Sequence, residues 1–190
     1  MSLASRITER VRATVDGDRA RALPLPPVPL TDGTIALRSW RPSDGLRLAA
    51  LCDDDEIRRW TAVPAESRTH EAAGRAAFAE DERREGRGSH LAITDAHDAV
   101  VHGAVDLVLP GPGRDEGRIS FLLAADARGH GHATRAVELL AGWATATVGV
   151  SRLEIRPQAG NAAAIAVAER AGFVLADPAP GPDGRVRLSR

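Results

Sequence analysis

A chain of 190 residues, 43% apolar, with 25 Lys and Arg against 26 Asp and Glu, is long enough for one domain with a real core. It is too evenly charged for a dedicated nucleic-acid binder. One cysteine, Cys52, excludes an internal disulfide framework and fits a reducing compartment, and no apolar run approaches the ~18 residues of a membrane span. Without an apolar signal core at the N-terminus, the expectation is a soluble cytoplasmic protein with neither nucleic acid nor membrane as partner.

In chain order, Leu3, Ile7, Val11 and Val15 recur at four-residue spacing and predict an amphipathic helix over 2–21. The proline-rich 23–30 predicts an extended spacer, which sets 1–30 apart from a domain over 31–190. Thr34 to Arg38 alternates as a strand. Asp44 is a plausible N-cap for a helix carrying Leu46, Leu48, Ala49 and Leu51. A short helix over Glu56–Trp60 and a longer one from His70 to Glu85, ended by Gly86 and Gly88, follow. The period then changes to three β-like runs, His90–Thr94, Ala99–Leu109 and Arg118–Leu123, the first two joined by a hairpin at Asp95–Asp98. Ala133, Ala136, Val137, Leu140, Ala141, Ala144 and Val148 form one helical stripe. A strand at Arg152–Arg156, a helix from Asn161 to Ala171 and a strand at Phe173–Ala176 come next, and Arg185–Ser189 predicts an edge strand. The pattern is that of a mixed-sheet α/β domain.

Between the Phe121 strand and the Ala133 helix lies Asp126-Ala-Arg-Gly-His-Gly-His-Ala-Thr134. In a strand, glycine loop, helix order the first helical N–H groups are unpaired and the positive end of the dipole faces out, which suits a phosphate. Gly129 and Gly131 permit close backbone approach, and Arg128 adds a charge with several donors. An ordinary βα turn is the plain alternative.

Arg128-x-x-Gly131-x-Ala133 resembles the acyl-CoA pyrophosphate motif of the GNAT N-acetyltransferase superfamily. Ile35 to Asp44, Arg118 to Leu123, and Asn161 through Gly172-Phe173 are similar to further segments of its RimJ/RimL-like ribosomal-protein acetyltransferase branch. The resemblance covers roughly four fifths of the chain and leaves out residues 1–30. It implies a mixed, mostly antiparallel sheet with helices on both faces, and a central strand pair that splays beside a bulge in the Phe121 strand. Pantetheine would enter that slot and pair with main-chain groups around Leu122, Leu123 and Ala124. Arg128, Gly129, His130, Gly131, His132, Ala133 and Thr134 would surround the pyrophosphate of acetyl-CoA, and Asn161, also a candidate N-cap, would hydrogen-bond the same molecule. No metal is implied; His130-x-His132 lacks a thiolate beside it. A homodimer is a family-level expectation.

Two departures bear on catalysis. Ala164 stands where the branch commonly has a serine that protonates the leaving thiolate, and tyrosine is absent altogether. A thiol of pKa ~8.5 already leaves tolerably, so the missing acid is worth only ~10²-fold. Arg118 stands where the branch often has a glutamate base. Glu116 and Asp106 are the candidate catalytic carboxylates, Glu116 sharing a strand face with Arg118 and Ser120, with Glu154 as a further nearby carboxylate. Without a strong base, an α-amine of pKa ~7.8, about 10% neutral at pH 7, is an easier acceptor than lysine at below roughly 0.1%. The acidic run Asp53-Asp-Asp-Glu56 reads as helix-start charge, with attraction of a cationic acceptor as the alternative. The expected activity is acetyl transfer from acetyl-CoA to a primary amine. The rival is a catalytically silent acyl-CoA-binding module.

Overall fold

The computed structural model describes residues 22–24, 26, 29–61, 71–110, 115–177 and 179–190. The helix expected over 2–21 lies outside the described residues, as does part of the 110–117 connection.

Eight strands form one sheet in the order β1-β2-β3-β4-β5-β6-β8-β7. They are β1 (Leu30–Thr31), β2 (Ile35–Ser39), β3 (Gly88–Asp95), β4 (Val101–Val108), β5 (Glu116–Leu123), β6 (Arg152–Ile155), β7 (Val174–Asp177) and β8 (Arg187–Ser189). All neighbours are antiparallel except β5 and β6. Their connection carries the helix α4 (His132–Trp143), which continues into one wider turn over Ala144–Val148. Parallel neighbours need such a crossover, because a tight turn cannot reverse the chain twice.

The pleat divides the core in two. On one face Leu37, Leu91, Ile93, Val105, Leu107 and Ile119 pack against the Ala136, Val137 and Leu140 stripe of α4. On the other, Ala92, Ala104 and Leu122 lie with Leu48 and Leu51 of α1 (Gly45–Asp53) and Ile57 of α2 (Asp55–Trp60). The helix α3 (Glu71–Arg84) adds Ala76 to this cluster, and α5 (Ala162–Arg170) adds Ala168 to the first. Small side chains on the second face let α1 and α2 sit close above the strands.

Four expectations change. Leu46 points to solvent at 90% exposure, so α1 buries a narrower stripe than its four apolar residues suggested. Asp44 occupies the N-cap position without capping: its carboxylate takes Arg38 and the Arg41 N–H instead. The C-terminal strand β8 is interior and β7 is the edge, since β8 is hydrogen-bonded to β6 as well as to β7. Leu23, in the stretch read as spacer, is fully buried, with its N–H and carbonyl both bonded to Arg83.

Candidate active site

The sheet opens between β5 and β6. They pair over three positions, Glu116 with Arg152, Gly117 with Leu153 and Arg118 with Glu154. Beyond Arg118, β5 stays laddered to β4 up to Leu123 opposite Gly103, whereas the chain after β6 follows the segment before β8. There the Val186 N–H donates to the Pro157 carbonyl at 3.0 Å and the Ala159 N–H to that of Gly184 at 2.9 Å. The two strands therefore diverge because each is held by its other neighbour. The bulge expected in β5 is absent: its register with β4 runs without a shift from Arg118 to Leu123, and the irregularity falls between Ile93 and Thr94 of β3.

A cleft of about 750 Å³ fills this fork, walled by β5, the chain after Ile155, α2, α5 and the start of α4. The Ala124 N–H donates to the His102 carbonyl at 2.9 Å. By antiparallel alternation the main-chain groups of Leu122 also turn to β4, and those of Phe121 and Leu123 turn into the fork. Of the three residues expected around pantetheine, Leu122 and Leu123 line the cleft and Ala124 does not, and Phe121, not singled out in the sequence, lines it with them. The Leu123 carbonyl accepts from Arg128 Nε at 3.2 Å, and the remaining main-chain groups that turn into the fork need a partner.

At the head of the cleft, Gly129 (φ 80°) and Gly131 (φ 78°) take left-handed conformations that side-chain-bearing residues rarely adopt. Gly131 is the N-cap of α4, and no side chain caps that end. Gly129, Gly131, Ala133 and Thr134 border the cleft there. His130 and His132 do not line it; the His132 ring stacks on His102 at 4.4 Å and on His130 at 5.6 Å. Burial, then the neighbouring histidines His102 and His130, depress the His132 pKa, and burial likewise depresses that of His102. Both shifts favour the uncharged ring, and Arg128 is the fixed cation of this loop.

Arg128 is tied down. Its Nη2 donates to Asp54 Oδ1 at 2.7 Å and its Nε to the Leu123 carbonyl at 3.2 Å. Asp54 also caps α2 by accepting from the Ile57 N–H. The acidic run read as helix-start charge thus does that work and builds the site as well, because Glu56 lines the cleft and accepts from Trp60 Nε1 at 2.6 Å. Asn161 caps α5 through the Ala164 N–H at 3.0 Å and lines the cleft, so both of its expected roles are geometrically open.

The two candidate catalytic carboxylates separate. Glu116 lies at the closed end of the fork, paired with Arg152 at 3.0 Å and away from the cleft lining. Asp106 does not line the cleft either, but it stands directly across from Ser120, which does. On its other side Asp106 Oδ1 is 3.0 Å from His90 Nδ1. The two approach without hydrogen-bond alignment, as neither ring nitrogen of the buried His90 has a hydrogen-bond partner. Sequence reasoning did not single out Trp60, Arg156, Gln158 or Arg185, all of which line the cleft. Arg185 is brought in by its bridge to Gln158, a long-range pairing with no local pattern to reveal it. Among the described residues no cluster of three His, Cys, Asp or Glu is arranged to hold a metal, and no helix is long and apolar enough to cross a membrane.

The model of the acetyltransferase (GNAT) domain matches residues 34–174. A comparison with curated proteins finds no match. Among solved structures, RimL, a ribosomal L7/L12 alpha-N-protein acetyltransferase in complex with coenzyme A, superposes with a TM-score of 0.71 at 18% identity, covering 86% of this chain and 96% of that one. Mycobacterium smegmatis RimJ in complex with CoA-disulfide gives 0.71 at 19%, covering 91% and 88%. The microcin C7 self-immunity acetyltransferase MccE, in complex with acetyl-CoA and AMP, gives 0.71 at 20%, covering 86% and 99%. At such identities the likeness is one of fold.

Proposed function

The chain belongs to the acetyltransferase (GNAT) family, and from that membership we propose that it moves the acetyl group of acetyl-CoA onto a primary amine by direct attack of the neutral nitrogen. The acceptor in this reading is a peptide N-terminus or a small-molecule amine of low pKa. Bound acetyl-CoA supplies an activated thioester carbon and a thiol leaving group. The residues of the chain do the rest. Phe121 and Leu123 hold the pantetheine arm in the fork through their main-chain groups, and an N–H of β5 faces the carbonyl oxygen as charge develops there. The uncapped first turn of α4 takes the pyrophosphate, with Arg128 held beside it by Asp54. Asn161, on the wall of the fork, orients the cosubstrate. Proximity and electrostatics in this slot supply most of the rate.

Glu56, as a cleft carboxylate, receives the proton from the incoming ammonium, directly or through water. Asp106 is one strand removed and serves through Ser120. The observation that carries this reading is the fork itself, an internal gap in hydrogen bonding that ends at an open helix terminus. Thiol release from acetyl-CoA, measured against a panel of amines, tests it. Release that depends on an α-amine is expected. CoA binding without release from any amine would instead support a silent acyl-CoA-binding module, a reading favoured by Ala164 and Arg118 standing where the usual acid and base would be.

A further inference from the structure

The two lips of the cleft carry opposite charge. On the α2 lip, Asp53 and Asp55 are engaged by Arg58 and Asp54 by Arg128, which leaves Glu56 as the carboxylate that lines the cleft. On the facing lip Arg156 and Arg185 line the cleft, and Arg118 and Arg187 lie on the adjoining strands outside the lining. Arg118 is in register with Glu154, and Glu154 is in register with Ser189 of β8, so these side chains share a face of the sheet. Buried Glu154 accepts from Arg156 at 2.6 Å and has Arg187 at 3.8 Å. Two residues along, Gln158 bridges to Arg185. Glu154 thus has two guanidinium groups within 4 Å, those of Arg156 and Arg187, while Arg185, with Nε 3.8 Å from Asp183 Oδ2, stands beside Arg156 on the cleft wall. Arg118 Nε is buried without a hydrogen-bond partner, and Arg187 is half exposed.

The phosphates of CoA do not account for these arginines. They have their own cations at the other end of the cleft, where Arg128 sits beside the glycine loop and Arg170 Nε lies 3.5 Å from Thr134 Oγ1. A positive lip repels a polycationic amine. It attracts an amine whose own molecule carries negative charge.

Resting on the acetyl-transfer reading above, we propose that the acceptor is an amine borne on a carboxylate-rich molecule, with its nitrogen toward Glu56 and its carboxylates on Arg156 and Arg185, Arg187 adding to the field from outside the lining. The arrangement also serves the chemistry. Nearby guanidinium groups disfavour an ammonium and so favour the neutral, attacking amine. Arg118, in the place where the family commonly has a base, contributes to that field; Glu56 and Asp106 oppose it.

The test uses saturating acetyl-CoA and two matched tetrapeptides that share an N-terminal alanine, one continuing in aspartates and the other in lysines. At low salt kcat/KM is expected to be at least about tenfold higher for the aspartate peptide, and added salt narrows the gap. In the Arg185→Gln/Arg187→Gln double variant the gap falls to within about twofold, while CoA affinity by calorimetry changes less than about twofold. Equal turnover of the two peptides by the wild type, a preference for lysine, or a gap insensitive to salt overturns the proposal. So does acetylation of neither peptide when another amine of the panel is acetylated; CoA binding with release from no amine at all overturns the acetyl-transfer reading instead. A wild-type protein that fails to bind CoA overturns the acetyl-transfer reading itself, which keeps the two failures apart. If the double variant does not fold, the salt dependence of the wild type decides.

Discussion

Arg128 and Asp54 meet at the head of the cleft, the guanidinium Nη2 2.7 Å from the carboxylate Oδ1. One side chain comes from the loop that enters α4 and the other caps α2, so this single contact joins the glycine-loop end of the cleft to its α2 wall. It also corrects a simple view of Arg128 as a free cation awaiting an anion. Burial pushes the Asp54 pKa up, but the Arg128 bond and the Ile57 N–H outweigh it and the pKa is lowered overall.

Asp54→Ala removes a helix cap and an ion pair together. The expected loss is about 1–2 kcal/mol of stability, most of it from the cap. CoA affinity falls as well, because Arg128 loses its anchor. Urea unfolding and calorimetric CoA titration read the two effects separately. Unchanged CoA binding would show that Arg128 needs no fixing.

At Gly131 an added Cβ meets nothing within 4 Å, yet φ is 78°. Gly131→Val therefore leaves the core intact and costs roughly 1–2 kcal/mol in backbone strain. Relief of that strain tilts the first turn of α4, so CoA affinity is expected to drop more than about tenfold, on the scale of one lost charge-assisted contact. A melting curve alongside CoA titration checks that the fold survives and the ligand is lost.

Acid sensitivity follows from the Arg38 cluster. Arg38 donates twice to Asp44, at 2.7 and 3.0 Å, and pairs with Asp98. Burial raises both carboxylates, but the arginine bonds outweigh it and hold each below its ordinary 3.8. A depressed folded pKa means that this stability is complete above pH 3.8 and lost as pH falls through the folded values. His102 and His132, lowered from 6.5, add an earlier loss as pH drops below 6.5, since the unfolded chain binds their protons first. Denaturant midpoints from pH 8 to 3 should show both phases, and Asp44→Asn should flatten the lower one alone.

Ala164 lines the cleft one turn into α5, with its N–H held by Asn161. Ala164→Ser restores a hydroxyl where none exists. If thiolate departure limits turnover, kcat rises, by no more than ~10²-fold. Single-turnover thiol release against pH measures it, and an unchanged rate places the barrier at amine attack.

The order of elements was legible because each carries a local period: the α4 stripe, the alternation of β2, the glycines that close α3 and α5. The glycine loop was legible for the same reason. What stayed hidden depends on pairing between distant segments. Arg185 reaches the cleft through its bridge to Gln158, and β8 becomes interior through pairing with β6, neither of which a local pattern specifies. Glu56 looked like dipole-complementing charge because Asp54 beside it has that role. Leu46 looked like core because an apolar residue on a helix does not announce which face is covered.

The three-residue pairing of β5 with β6 has a consequence for what the protein can admit. An unpaired strand on the rim of a sheet invites any extended chain to dock on it. Here the hydrogen-bonding edge that faces the fork lies inside the sheet, with α2 and α5 on the walls of the cleft in front of it. A slender, amide-bearing thread laid lengthwise matches such an edge, which a rim strand offers to any chain and this one offers only through the cleft.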